Sequence, residues 1–384
     1  LFRDMTGIRF EHPEWVPENC TACGDCYTVC PDTAIPGLVN EVGQVLDTVV
    51  NRVRKNGHGA EIEHLPKAAK LMERHLHGLL KRSKESDSVA VLMDRAIDQT
   101  LTQSELQGND KEQLRKELGY FKEELNGFKF ALTRPHYTLQ EKDQPGSGGL
   151  LSITVNPYTC KGCMECVQVC NDDALRPVKQ TTESVELLRE NWDLWSDLPT
   201  TPKKYIQLDD LEEGIGTLES ILLDKNNYLP FTSGDGACLG CSEKTSVHLF
   251  VATVEALMQP RIAKHLRHVT DLIERLKKHI QLKLAGELDV SHPDVMAKVI
   301  DEIGEQDVTL ASIAERLERI GGGQPIDQDW LKRMTKLVSD LEQLKWKYTD
   351  GTTGRGRTSM GMINSTGCTS VWGSTYPFNP YPFP

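Results

Sequence analysis

The sequence predicts an α+β protein in which two small cysteine-rich halves are separated by a long helical stretch. Three observations lead to this prediction. A tetracysteine run at residues 20–30 recurs at residues 160–170. Between the two runs, apolar residues repeat at helical spacing in several segments of residues 37–143. The second run follows residues 151–155, where apolar and polar residues alternate as in a short strand.

Each cysteine run has the spacing C-x2-C-x2-C-x3-C, which is typical of bacterial ferredoxin sites for a [4Fe–4S] cluster. Three cysteines two residues apart lie on one tight loop and can bind three irons of a cubane. The fourth cysteine opens the next helix and points away, so it binds the other cluster. The runs therefore predict two crossed ligand sets, which are Cys20, Cys23, Cys26 and Cys170 for one cluster and Cys160, Cys163, Cys166 and Cys30 for the other.

The composition limits the other possibilities. Eight of the 11 cysteines lie in the two runs, which favours metal clusters in a reducing cytoplasm over disulfides. Zinc is the weaker alternative, because zinc sites commonly use two separated cysteine pairs. The net charge of −12, without a basic patch interleaved with aromatic residues, argues against nucleic acid or an anionic membrane as a partner. No apolar run approaches membrane-spanning length and no signal peptide is visible.

The pattern of helical and turn-forming segments predicts the domain organisation. A ferredoxin-like dicluster domain is interrupted by a helical insertion, and an acidic segment connects it to a third cysteine-containing region with its own helical insertion. In that region we expect a helix over residues 246–259 that ends at Pro260, and a strand over residues 359–363. The predicted segments are 1–37, 38–143 (insertion), 144–180, 181–233 (connection), 234–260, 261–356 (insertion) and 357–384.

The remaining three cysteines form a weaker signal. Cys238 and Cys241 form a lone C-x2-C, which is compatible with zinc, with a redox dithiol or with part of a cluster. Cys368 lies in a loop rich in Gly, Ser and Thr after the expected strand, where it is well placed to reach a cluster. The chain begins with Leu1 rather than Met, and we expect it to be a piece of a longer protein.

Together these stretches resemble pyruvate:ferredoxin (flavodoxin) oxidoreductases, the single-chain 2-oxoacid oxidoreductases that use thiamine diphosphate. Residues 16–26 and the second run are similar to the dicluster ferredoxin domain of that family. Residues 236–245 and 365–374 are similar to the opening of its α/β C-terminal thiamine-binding domain. The resemblance implies that Cys238, Cys241 and Cys368 hold a third [4Fe–4S] cluster with a fourth ligand outside this chain, and that Glu243 lies at the thiamine site.

Some residues depart from the family pattern. Asn171 stands where the family usually has proline, and Ser242 stands where it usually has glycine. Gly234-Asp235-Gly236 resembles the start of a thiamine diphosphate Mg²⁺ motif, but the spaced asparagine that this motif needs does not follow.

The resemblance implies that this chain is the electron-transfer segment of an enzyme that decarboxylates a pyruvate-type 2-oxoacid. Electrons would pass through the clusters to ferredoxin or flavodoxin, CoA would take the acyl group, and the full-length enzyme would be a homodimer with thiamine diphosphate and Mg²⁺. The segment alone is not expected to be catalytically complete, and no catalytic residue is identified. The alternative is a stand-alone polyferredoxin electron carrier that docks a partner through its helical insertions.

Overall fold

The computed structural model describes residues 4–59, 61–207, 215–231, 237–287, 327–354, 356–358 and 367–374, together with the single positions 361, 363 and 365. The chain divides into two compact units. The first contains residues 1–256 and 359–384, and the second contains residues 257–358. Among the described helices, none combines the length and the apolar character that crossing a membrane requires.

Strands from the two cysteine-rich halves pair with each other. They are β1 (Glu11–Trp15), β2 (Gly37–Glu41), β3 (Gly149–Ile153) and β4 (Leu175–Lys179). In the described part of the chain they form two antiparallel sheets of two strands each, β1 with β4 and β2 with β3. Each sheet therefore joins a strand beside the first cysteine run to a strand beside the second, and the two halves form one structure.

Prolines explain the extent of these sheets. Pro13 of β1 lies opposite Pro177 of β4, which is tolerated because every strand of a two-stranded sheet is an edge strand. The strand predicted over residues 151–155 lies two residues earlier, at β3. Beyond β3, Thr154 still donates to the carbonyl of Pro36, but Pro36 has no N–H to donate in return, so the regular ladder ends there.

A block of helices lies between β2 and β3 in the sequence. Their apolar faces form one core with Leu38 of β2 and Leu150 of β3, so the block packs against the second sheet. After α1 (Asp25–Val29), which follows the first cysteine loop, the helices of the block are α2 (Val42–Val53), α3 (Leu65–Leu80), α4 (Val89–Gln103), α5 (Gly108–Leu125) and α6 (Leu139–Asp143), with shorter helical segments at Arg54–His58 and Arg134–Thr138.

A buried carboxylate on α5 holds the start of α3. The side chain of Glu117 is fully buried. It accepts hydrogen bonds from the backbone N–H groups of Glu63, His64 and Leu65 at 2.9, 2.9 and 2.6 Å. The next residue is Pro66, which has no N–H. Glu117 therefore satisfies the free donors at this helix N-terminus and places a negative charge at the positive end of the helix dipole.

The second cysteine run leads through α7 (Glu165–Gln168) and β4 into α8 (Thr182–Asp197) and three short helices, α9 (Lys203–Ile206), α10 (Thr217–Ile221) and α11 (Lys225–Tyr228). On α8, Trp192 and Trp195 stack with their ring centroids 4.9 Å apart. The ammonium group of Lys225 lies over the Trp195 ring and donates to the Trp195 carbonyl at 2.7 Å. The tryptophans therefore act as packing anchors for the connecting segment.

The long helix α12 (Ser242–Glu287) does not end at Pro260, so the prediction of a helix end at this position is wrong. A proline inside a helix costs about 3 kcal/mol, because it lacks one N–H and crowds the preceding carbonyl. Burial of apolar residues beyond Pro260 offsets this cost. From residue 257 onward α12 belongs to the second unit, where Ile280 packs with Leu331 and Val338 of α13 (Gln328–Thr349).

Two sequence predictions fall on positions that the structure does not describe. The strand expected at residues 359–363 lies outside the described residues except for positions 361 and 363. The motif at residues 234–236 also lies outside them.

Candidate metal centres

The two cysteine loops share one backbone conformation. Ala22 and Gly162, which each stand two residues after the first cysteine, have φ angles of 69° and 72°. Gly24 and Met164, which each follow the second cysteine, have φ angles of 86° and 62°. Left-handed residues at these two positions curl each run into a tight loop. Because this conformation costs about 1–2 kcal/mol for a residue other than glycine, Ala22 and Met164 carry local strain that the surrounding structure holds.

The loops also require close approach by neighbouring chain segments. A Cβ atom at Gly162 would lie 2.5 Å from the backbone carbonyl oxygen of Glu11 in β1. A Cβ atom at Gly24 would lie 2.7 Å from both Glu219 of α10 and the hydroxyl oxygen of Tyr27. Glycine is therefore needed for space as well as for its φ angle at these two positions.

The first cavity takes three thiols from the first run and one from the second. It encloses about 350 Å³ of space, part of it open to solvent. Its apolar walls include Trp15, Ile153 and Leu175, and its charged residues are Asp25 and Asp172. The four thiols that line this cavity are those of Cys20, Cys23, Cys26 and Cys170.

The second cavity has the reciprocal composition, at about 360 Å³ including space open to solvent. Its apolar walls include Pro13, Ile35 and Val155. Its charged residues are Asp32, Lys161 and Glu165. The four thiols that line this cavity are those of Cys160, Cys163, Cys166 and Cys30.

The environment of the thiols fits thiolate ligands of a metal cluster. Burial raises the pKa of Cys20 and of Cys160 to about 11, so the free sulfurs are neutral thiols at pH 7. Backbone N–H groups nevertheless point at the sulfurs, and such donors favour the charged form. Bound iron would supply the positive charge that deprotonates the thiols. The donors are the N–H groups of Ala22, Asp25, Ala34, Gly162 and Glu165, which donate to Cys20, Cys23, Cys30, Cys160 and Cys163 in that order.

The spacing of the thiols differs from that of a single-ion site. Within the described ranges, no three His, Cys, Asp or Glu side chains converge closely enough to hold one metal ion. A zinc site places each of its sulfurs about 2.3 Å from one ion. In a [4Fe–4S] cubane each thiolate binds a different iron, so the sulfurs are farther apart. Sulfurs that are not gathered around one ion are compatible with a cluster, which stays the prediction from the cysteine spacing.

The third set of predicted site residues lies on two segments. Cys238 is exposed, Cys241 is half-buried just before α12, and Glu243 is exposed in the first turn of that helix. Cys368 is exposed and lies at the start of a short helical stretch that continues into the segment Ser370–Ser374, where a loop was expected. None of the three thiols lines either of the two described cavities. Their assembly into a third cluster, and a thiamine site at Glu243, stay predictions.

The segment around Cys238 and Cys241 packs against the second cysteine loop. The Lys161 ammonium group donates to the Ala237 carbonyl at 2.6 Å. The N–H of Gly240 donates to the Cys163 sulfur. Gly240 has a φ angle of +65°, and a Cβ atom there would lie 2.5 Å from a carboxylate oxygen of Glu165. A glycine at this position therefore brings the third cysteine segment into contact with a wall of the second cavity.

A buried ion pair near the second cavity was not expected from the sequence. The fully buried Lys244 of α12 lies 2.5 Å from a carboxylate oxygen of Asp32, which is also buried. Thr245 donates to the carbonyl of Val29 at 2.9 Å. These contacts tie the start of α12 to the exit of the first cysteine run. The available signal was the position of Lys244 three residues after Cys241, but a lysine is ordinarily expected on a solvated face.

Comparison with known proteins gives a match to one family model. Residues 12–35 match the family model of a 4Fe-4S binding domain. This match covers most of β1 and the first cysteine loop, and it shows that this segment is similar to iron–sulfur domains.

The chain is also similar to two relatives whose names contain "pyruvate-flavodoxin oxidoreductase". With the relative from Synechocystis sp. it shares 29% identity over 109 residues, which is 27% of this chain and 8% of the relative. With the relative from Nostoc sp. it shares 25% identity over 119 residues, which is 29% of this chain and 9% of the relative. The resemblance to the pyruvate-flavodoxin oxidoreductase family is thus confirmed, over a stretch that spans less than a tenth of either relative.

Proposed function

We propose that this chain is the electron-transfer segment of a thiamine diphosphate-dependent 2-oxoacid oxidoreductase. One observation carries the proposal: two cavities are each lined by four thiols, three from one cysteine run and one from the other. This crossed arrangement suits two neighbouring [4Fe–4S] clusters. The names of the relatives and the family model for a 4Fe-4S binding domain support an electron-transfer role within an oxidoreductase.

The residues of this chain would hold and insulate the clusters. When bound, each cluster supplies one-electron oxidation and reduction. The crossed thiol sets would fix two clusters side by side, since each loop contributes a ligand to its neighbour's site. Trp15, Ile153 and Leu175 would limit water at the first site, and Pro13 and Val155 would do so at the second. The backbone N–H donors would stabilise the thiolates.

The proposal also includes the reaction, the electron acceptor and the other cofactors of such an enzyme. The electrons come from decarboxylation of a pyruvate-type 2-oxoacid, and CoA takes the acyl group. Ferredoxin or flavodoxin is the acceptor, in a cytoplasmic homodimer that also binds thiamine diphosphate and Mg²⁺. Cys238, Cys241 and Cys368 hold part of a third cluster, and Glu243 contacts thiamine. The packing of residues 237–240 on the second cysteine loop supports an electron path from that region.

The test is anaerobic reconstitution followed by iron analysis and Mössbauer spectroscopy. The proposal expects about eight irons per chain in two [4Fe–4S] clusters. Cys238→Ala is the matched control, because Cys238 lines neither cavity, and it should keep all eight. Iron near four per chain, or stoichiometric zinc, would contradict the proposal that the chain binds two [4Fe–4S] clusters.

A second test addresses the enzyme itself. Sequencing the gene on both sides of this segment should reveal a downstream Gly-Asp-Gly with a spaced asparagine for Mg²⁺. The complete gene product should then reduce flavodoxin when given a 2-oxoacid, CoA and thiamine diphosphate. A stop codon directly after residue 384 would instead support the stand-alone polyferredoxin.

A further inference from the structure

The two candidate cluster sites differ in the charges around them. At the first cavity, the charged side chains among its described lining residues are those of Asp25 and Asp172, which are both exposed. No lysine or arginine is among those lining residues. Exposed carboxylates are screened by water and salt, so they have only a weak effect on a buried charge.

Buried cations surround the second cavity. Lys161 lines it and is 6% exposed. Lys244 is fully buried and pairs with Asp32, another residue of the cavity wall. The guanidinium group of Arg9, which is 3% exposed, donates to the carbonyl of Cys160 at 2.8 Å. Lys161 therefore lies in the cavity wall with Asp32 and the half-buried Glu165, Lys244 neutralises Asp32, and Arg9 adds a buried positive charge at the backbone of Cys160. Screening by solvent is weak for these buried charges.

The second site also has more N–H donors to sulfur. Cys163 accepts from the N–H groups of Glu165 and Gly240, and Cys30 accepts from those of Ala34 and Asp32. In the first run, Cys23 accepts from one backbone N–H, and Cys20 accepts from one backbone N–H and from the side chain of Trp15. Hydrogen bonds to the sulfurs and nearby positive charge both stabilise the reduced cluster, because reduction adds negative charge.

Burial acts in the opposite direction, because added negative charge is less stable away from water. Cys30, Cys160 and Cys166 are each 8% exposed, whereas three of the four thiols at the first cavity are half-buried. The difference in exposure is one of degree, since the fourth thiol of the first cavity, that of Cys26, is also 8% exposed. The charges differ in sign, because the charged groups among the described residues lining the first cavity are carboxylates alone, whereas buried cations lie at the second. The charge difference therefore outweighs the exposure difference.

We propose that the positive charges of Lys161 and Lys244 raise the reduction potential of the cluster of the second cysteine run, so that this cluster takes up the first electron. This inference rests on the proposed presence of two clusters. At half reduction, the second-run cluster should hold the electron in preference to the first by at least tenfold, which corresponds to about 59 mV for one electron.

The test is a redox titration of the reconstituted chain with dithionite, followed by EPR. The wild type should show two clusters that are reduced one after the other. Lys161→Met should lower the potential of the higher-potential cluster by about 59 mV, a tenfold loss of preference, and leave the other cluster unchanged. Lys161→Arg should keep the wild-type separation because the charge remains. Thr21→Met, at the matching position of the first run, is the control and should leave the second-run cluster unchanged.

The outcomes separate the two proposals. Fewer than about eight irons in the wild type would overturn the dicluster function and this inference with it. Eight irons with both clusters reduced together, or a Lys161→Met effect on the lower-potential cluster, would overturn this inference alone. If the Lys161→Met variant loses iron, the wild type is tested instead, by following the hyperfine-shifted NMR signals of its cysteine ligands during stepwise reduction. The signals of Cys163, in the second-run cluster, should shift to those of the reduced state before the signals of Cys23, in the first-run cluster. The opposite order would refute the proposal.

Discussion

Replacing Glu117 with alanine should destabilise the helical block far more than an ordinary surface change. The carboxylate is fully buried and accepts three backbone N–H donors at the start of α3. The Leu65 N–H is buried, and losing its hydrogen bond to a charged acceptor costs about 1.5–3 kcal/mol. Water can partly replace the bonds from Glu63 and His64, which are more exposed. With the lost interaction of the charge with the helix dipole, we expect a total of about 3–5 kcal/mol.

The assay is native-state hydrogen exchange at the amides of α3, which reports the free energy of opening of this helix. Glu112→Ala on the same helix is the matched control. Its side chain is 67% exposed and loses one surface ion pair with Arg115, which is worth about 0–1 kcal/mol. Iron content should stay at the wild-type level in both variants, because the cluster loops lie outside the block. A Glu117→Ala effect below about 1 kcal/mol, or equal to that of the control, would refute the role assigned to this carboxylate.

Three further predictions concern the cluster loops and the core. Gly162→Ala should lower stability by about 2–4 kcal/mol in urea unfolding, since it adds backbone strain and a clash with Glu11, whereas Ala22→Gly at the matching position should be neutral or stabilising. Cys30→Ala should damage the EPR and Mössbauer signals of the second-run cluster, and damage confined to the first-run cluster would exclude crossed ligation. The buried His136 has a pKa lowered to about 4 by desolvation, so the unfolded chain binds the proton first as the pH falls from 6.5 to 4. Wild-type stability should therefore fall across this window by up to about 3 kcal/mol more than that of His136→Phe, and parallel pH profiles in urea unfolding would contradict this.

The thiols that line each cavity are those that the cysteine spacing singles out, and their role as cluster ligands stays a prediction. The spacing identifies these thiols because ligand spacing is a local property of the chain: two residues between cysteines allow one tight loop to present three sulfurs. The helical character of residues 38–143 was also readable from apolar spacing. The sequence could not place the end of α12, because a proline weighs against a helix only locally, and packing in the second unit outweighs it.

The buried polar residues at the start of α12 were missed for a different reason. The buried face of α12 begins with Lys244, His248, Val251 and Glu255. Because most of these residues are polar, a hydropathy pattern assigns this face to solvent. Glu117 was missed in the same way on the highly charged helix α5. In both cases the partner lies far away in sequence, and only the folded chain shows that the charge is neutralised or hydrogen-bonded.

The exchange of strands and thiols between the two halves has a consequence for biosynthesis. The fourth thiol at the first cavity is Cys170, and β1 pairs with β4, which lies still later in the chain. A ribosome must therefore complete the whole helical block before either set of four thiols can exist. Under the proposed function, loading of a complete cluster site cannot follow the emergence of the first cysteine run and has to wait for the second. A chain that stops within the insertion carries one strand of each sheet and an incomplete set of thiols for either cavity.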